Sequence, residues 1–178
     1  GNKFLNSGPG FGGSCFKKDI LNLVYLSEYF GLQEVSDFWE SVVTLNKWHQ
    51  HRISNLITKK LFGTLANKKI LILGFAFKAN TNDTRESAAI QICKDLLEEG
   101  ADLYIHDPKV SSNQIEIDLG IKQKIQDDEN KINPKNMSEG NWISVNNHMD
   151  AFENVDAAII LTEWSIYKEI EWKNIANK

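Results

Sequence analysis

Cysteine is scarce in this chain. Two thiols, Cys15 and Cys93, stand among 178 residues. That is too few for a disulfide scaffold, and no ligand spacing for a metal ion is present, so no metal is expected. Positive charge is short as well. The net charge of −4 argues against the basic footprint of a nucleic-acid-binding protein. No apolar run approaches the roughly 20 residues that cross a bilayer, so no membrane partner is expected. A charged-then-apolar leader is missing too, which points to no secretory signal and a cytoplasmic location. The chain opens Gly-Asn-Lys-Phe without an initiator Met, as expected of a processed chain or a piece cut from a longer one.

What is present is ordinary for a globular protein: 42% hydrophobic and 25% charged residues, enough for one core or two small ones. Residues 4–14 hold four glycines and Pro9 and read as a loop. Apolar positions Ile20, Leu21, Leu23, Val24 and Leu26 have helical spacing over Lys18–Phe30, with Gly31 as the stop. A longer apolar face runs from Val35 through Phe38, Trp39, Val42, Leu45 and Trp48 to Leu61, with no Pro or Gly before Gly63. Such a helix bridges domains or forms a dimer seam; a single core helix fits the pattern equally well. After Gly63 the texture changes. Strands are predicted at Lys69–Leu73, Ala101–His106 and Val155–Thr162, with a helix over Glu86–Glu99 that Thr84 or Asp83 can cap. Strand–helix–strand order implies a parallel sheet with right-handed crossovers. The expected fold is thus α/β: a central helical segment (1–63) followed by a Rossmann-like parallel-sheet domain (64–178). The polar stretch from Gly120 to Gly140 reads as a solvated insertion, loop or short helix.

Chemistry concentrates at Cys15. Cys93 lies in an apolar helical pattern and reads as a small buried hydrophobe. Cys15 instead follows Gly10-Phe11-Gly12-Gly13-Ser14 and precedes Phe16-Lys17-Lys18-Asp19. Glycines allow close backbone approach to a ligand. A helix N-terminus and two lysines favour a nucleophilic thiolate. A structural cysteine in a glycine-rich turn is the alternative. Asp19, one helical turn on, can order a water or assist proton transfer. Past the strand at Lys69–Leu73 comes Gly74-Phe75-Ala76-Phe77-Lys78, where open α/β sheets hold ligands, and Lys78 can hold a diphosphate. Arg85 can reach an anion or simply face solvent. The Gly-x-Gly-x-x-Gly fingerprint does not follow this strand, so a dinucleotide is not expected there in the standard way.

The segments Phe4-Leu5-Asn6-Ser7-Gly8-Pro9-Gly10-Phe11-Gly12-Gly13-Ser14-Cys15-Phe16 with Lys18-Asp19, Ile72–Lys78, Asp83-Thr84-Arg85-Glu86-Ser87, Asp107-Pro108-Lys109 and Leu161-Thr162-Glu163-Trp164 occur in one order. Together they resemble the nucleotide-sugar dehydrogenases of the UDP-glucose/GDP-mannose dehydrogenase family. The resemblance covers about residues 1–119 and 150–170. Around the cysteine it is closest to members that oxidise UDP-glucose; those acting on acetylated amino sugars usually read differently. The resemblance implies oxidation of UDP-glucose to UDP-glucuronate with two NAD, through a thiohemiacetal and a thioester on Cys15, with Asp19 assisting the water steps. It places substrate contacts at Phe4, Leu5, Asn6, Ser7, Gly8, Pro9, Gly10, Phe11, Gly12, Phe77 and Lys78. It places NAD contacts at Cys15, Phe16, Lys17, Lys18 and Arg85. It also implies self-association as a homodimer or higher oligomer.

Three departures temper this. Lys17 stands where the family usually has Pro or Gln. The NAD-binding domain, with its proton-handling lysine and glutamate, would lie upstream. A late substrate-binding arginine would follow Lys178. The chain alone is therefore expected to be inactive. The rival expectations are a non-catalytic nucleotide-binding or dimerisation module, and a GDP-mannose dehydrogenase.

Overall fold

The computed structural model describes residues 7–124 and 140–175. Phe4, Leu5, Asn6 and most of the polar insertion lie outside them.

Two helices come first, α1 (Phe16–Tyr29) and α2 (Gln33–Lys60), packed on each other. Gly31 makes the turn between them. It adopts φ +70°, and the backbone N–H groups of Gly31 and Leu32 donate to the carbonyls of Glu28 and Ser27 at 2.9 and 2.8 Å. This closes the helix with a Schellman motif. At the far end, Phe62 and Gly63 take φ +67° and +83°, so α2 stops at Lys60, one residue short of Leu61, where the apolar face read from sequence ends.

The sheet has four parallel strands in the order β3-β2-β1-β4. They are β1 (Lys69–Leu73), β2 (Asp102–His106), β3 (Trp142–Ser144) and β4 (Ala157–Ile160). Ile70 to Leu73 are fully buried, the continuous apolar run of a strand covered on both faces. Helix α3 (Ala88–Glu98) crosses from β1 to β2 and α4 (Ser112–Leu119) leads on from β2. Short helices α5 (His148–Ala151), α6 (Ser165–Lys168) and α7 (Trp172–Ile175) flank β4. The core gathers β1 with Ile92, Cys93, Leu96, Leu103, Ile105, Ile115 and Trp142. The parallel α/β architecture is as expected. The sequence reading missed β3 and α4, and drew β4 too long at both ends.

The N-terminal half of α2 packs on α1. Its C-terminal half sends Ile53, Ile57 and Leu61 against the sheet core and touches α3. A polar knot reinforces that contact. Asp95 of α3 accepts from Ser54 Oγ at 2.6 Å and Gln91 Nε2 at 2.7 Å, and pairs with His51 Nδ1 at 2.8 Å. The outer face of α2 stays open: Phe38, Leu45 and Trp48 are 60%, 61% and 57% exposed.

Candidate active site

The glycine-rich loop is clasped between α2 and the connection from β1 to α3. On the α2 side, Asn46 Oδ1 accepts from Phe11 N at 2.9 Å and Asn46 Nδ2 donates to the Phe11 carbonyl at 3.0 Å. His49 Nε2 lies 3.1 Å from the Gly8 carbonyl. Gly10 permits this approach. It adopts φ +143°, and a Cβ there would come within 2.8 Å of Asn46 Oδ1. On the other side, Gly13 N donates to the Arg85 carbonyl at 2.8 Å. At φ +84° a Cβ on Gly13 would lie 2.8 Å from the Phe77 ring.

Cys15 forms the N-cap of α1 and is exposed, its Sγ 3.9 Å from Ser14 Oγ. Asp19 lies one turn on, also exposed, with its N–H on the Cys15 carbonyl at 2.8 Å. Next to Cys15, the Phe16 ring meets Phe11 edge-on at 4.7 Å. Lys18 is exposed, whereas Lys17 Nζ pairs with Glu86 Oε2 at 2.8 Å. The flanking lysines read as partners for a thiolate are thus not equivalent: the charge of Lys17 is spent on Glu86.

The facing loop carries Phe77 and Lys78, with Lys78 Nζ 5.2 Å from the Phe77 ring centre. Its shape is set by side chains from three other places. Asp107 Oδ2 accepts from Phe75 N at 2.7 Å, Ala76 N at 3.0 Å and Trp164 Nε1 at 3.2 Å. Thr162 Oγ1 donates to the Ala76 carbonyl at 2.6 Å and Ser87 Oγ to that of Phe75 at 2.7 Å. The Asp-Pro-Lys and Leu-Thr-Glu-Trp segments therefore act as scaffold for the loop. Ser87, accepting from Ala89 N at 3.3 Å, also caps α3. This corrects the expected cap at Thr84 or Asp83: the chain passes through a left-handed Glu86 (φ +56°) before the helix begins at Ala88.

Arg85 forks over Asp83, with Nε at 2.9 Å from Oδ1 and Nη2 at 2.7 Å from Oδ2. That hydrogen bonding is the main reason the Asp83 carboxyl is held below its usual range. The guanidinium is raised in turn, chiefly by Asp83, with a smaller attraction from Cys15.

Of the residues named from sequence, Gly10, Phe11, Gly12, Cys15, Phe16, Asp19, Phe77, Lys78 and Arg85 converge on the two facing loops. Ser7, Gly8 and Pro9 run off along α2. Asn46, His49, Glu86, Asp107 and Thr162 were not foreseen as site residues. For NAD, the exposed Phe16 ring, Lys18 and Arg85 suit an anionic ligand with a flat ring. The end of β1 does not suit a dinucleotide diphosphate, because the amides of Phe75 and Ala76 that would cradle it are already taken by Asp107.

Comparison with known proteins decides the family. The UDP binding domain of the UDP-glucose/GDP-mannose dehydrogenase family matches residues 71–178, and the central domain of that family matches residues 1–48. The chain belongs to the UDP-glucose/GDP-mannose dehydrogenase family. It is 43% identical over 178 residues to UDP-glucose 6-dehydrogenase 4 of Arabidopsis thaliana, covering 98% of this chain and 37% of that protein. It is 45% identical to UDP-glucose 6-dehydrogenase of Pongo abelii, covering 100% and 34%. Among solved structures, a UDP-glucose dehydrogenase from Pyrobaculum islandicum superposes with a TM-score of 0.71 at 30% identity, over 93% of this chain and 33% of the other. GDP-mannose dehydrogenase from Pseudomonas aeruginosa, at 22% identity and a TM-score of 0.66 over 94% and 34%, shares the fold. The chain spans about a third of the length of the curated relatives it matches. Among its described residues, no helix is long and apolar enough to cross a membrane.

Proposed function

We propose that these residues supply the nucleophile and one wall of the substrate cleft of an NAD-dependent UDP-glucose 6-dehydrogenase, and that they are inactive without the rest of that enzyme. The observation that carries this is an exposed Cys15 at the N-cap of α1, directly after a glycine loop that is held to α2 by Asn46 and packed at Gly12 and Gly13 against Phe77. Two NAD bound in succession would each accept one hydride from the sugar's C6, and Phe16, Lys17, Lys18 and Arg85 would border the cofactor here. Once C6 is an aldehyde, Cys15 Sγ adds to its carbon and holds it as a thiohemiacetal. Loss of the second hydride leaves a thioester. Water then adds to the carbonyl, the C–S bond breaks, the thiol is restored and the carboxylate departs. Asp19, one helical turn from the sulfur, takes the proton of that water. Covalent capture keeps the aldehyde in place between the two oxidations.

Phe77 and Lys78, with the Ser7–Gly12 backbone, form the UDP-glucose side of the cleft. Lys78 provides a point charge for the diphosphate. The division falls at 63/64, between a central segment that dimerises through the open face of α2 and a C-terminal domain that binds the UDP-sugar. Turnover of the full-length enzyme with a panel of nucleotide sugars tests the reading. UDP-glucose is expected to give the highest kcat/KM, and preference for GDP-mannose would overturn the substrate assignment.

A further inference from the structure

We infer that Asn46 is a positioning residue that fixes the Cys15 loop for attack, an inference that rests on Cys15 being the nucleophile. Among the described residues, the loop 7–14 has no helix or strand of its own, so its shape depends on tethers. Asn46 is a two-point tether. Its amide satisfies both the N–H and the carbonyl of Phe11, at 2.9 and 3.0 Å. One bond would leave one of the two peptide units flanking Phe11 free to swing; two bonds fix both. From there the constraint passes to the sulfur by contact. The Phe11 ring meets Phe16 edge-on at 4.7 Å, and Phe16 opens α1 directly after Cys15. Among the described residues the Cys15 sulfur is held only by a long contact with its neighbour Ser14 Oγ, at 3.9 Å.

The rest of the loop is held at Gly8 by His49 and at Gly12 and Gly13 by the Arg85–Glu86 backbone and the Phe77 ring, which leaves the Phe11 backbone to the Asn46 tether. Beside it a cavity of about 520 Å³ opens between α2 and α3, lined by Asn46, Gln50, His51, Glu86 and Gln91 among others. A released loop has room to shift there. The chemistry of the clamp also selects asparagine. An aspartate would accept from Phe11 N but face the Phe11 carbonyl with a second acceptor. Glutamine offers both groups one methylene further out, against a glycine whose close approach already allows no Cβ.

The test uses the full-length enzyme containing this chain, in variants Asn46→Ala, Asn46→Asp and Asn46→Gln, with Cys15→Ser alongside. Folded protein is quantified by circular dichroism and thermal midpoint, and rates are given per folded site. Misplacing a reacting group by about 1 Å costs on the order of 100-fold. Asn46→Ala and the isosteric Asn46→Asp are therefore expected to lower kcat on UDP-glucose by about that factor, with KM for NAD unchanged. Asn46→Gln is expected to recover part of the loss. A purely structural role would reduce the folded fraction and leave kcat per folded site intact. The inference fails if Asn46→Asp, or Asn46→Ala where it folds, keeps kcat per site within about twofold of wild type. If Cys15→Ser abolishes turnover while the Asn46 variants stay near wild type, only the role of Asn46 falls. If Cys15→Ser retains turnover, the nucleophile reading falls and the inference with it.

Discussion

Asp107→Asn, a change usually counted as conservative, should be costly here. Both carboxylate oxygens of Asp107 act only as acceptors. Oδ2 takes Phe75 N, Ala76 N and Trp164 Nε1, and Oδ1 takes Lys109 N and Val110 N at 2.9 and 3.0 Å. An amide has one acceptor oxygen and an NH2 group. Whichever way it turns, that NH2 must face at least two backbone N–H donors. The less harmful orientation keeps the oxygen toward the fully buried Phe75 and Ala76 and sacrifices the Lys109 and Val110 bonds. Hydrogen bonds to a charged group contribute about 1.5–3 kcal/mol each, so losing two and weakening the rest should cost about 3 kcal/mol or more. For a chain of this size that corresponds to a drop in Tm of about 6–12 °C. Urea titration followed by far-ultraviolet circular dichroism and tryptophan fluorescence measures it. Because the weakened bonds to Phe75 and Ala76 shape the Phe77–Lys78 loop, KM for UDP-glucose in the full-length enzyme should rise as well. A loss below about 0.5 kcal/mol, the scatter of ordinary surface changes, would refute the scaffold role given to Asp107.

Acidification below pH 6.5 should weaken the domain through His106. Burial, followed by the neighbouring His148, holds His106 below its ordinary value of 6.5. The unfolded chain therefore binds the proton more readily. The stability tied to neutral His106 is full above pH 6.5 and is lost as pH falls toward the folded value; a urea midpoint that does not move between about pH 7.5 and pH 5.5 would contradict this. Replacing Phe38 and Trp48 with glutamate should convert a dimer to monomer in sedimentation at tens of micromolar, a range typical of weak interfaces. A wild-type chain that is monomeric there argues against the α2 seam. Calorimetry on the chain alone should show weak UDP-sugar binding and weaker or no NAD binding, since losing several contacts at roughly 1 kcal/mol each costs orders of magnitude in affinity. Tight NAD binding without a UDP-sugar response would show the wrong ligand assigned to this domain.

Strand β1 was legible because a buried parallel strand writes a continuous apolar run, and β2 because Leu103, Tyr104 and Ile105 stand between the turn residues Gly100 and Pro108. The edge strand β3 was not. It is three residues long, and its one deeply buried side chain, Trp142, follows a polar stretch. Helix α4 hid for a similar reason: Ile115 and Leu119 are buried but Ile117 between them is exposed, which blurs the period. At the site, Cys15 and the glycine loop stood out by composition. Asn46 and His49 did not, since polar residues on one side of a helix ordinarily face water. Only the fold lays the glycine loop along that side. Likewise the Asp107 motif gave no hint in sequence that its carboxylate occupies the amides at the end of β1.

The central claim is covalent capture by Cys15, and its most direct test is steady-state oxidation of UDP-glucose by the full-length enzyme carrying Cys15→Ser. The account predicts that net conversion to the carboxylate is abolished while the folded protein is retained. Near-normal steady-state turnover in that variant would contradict it.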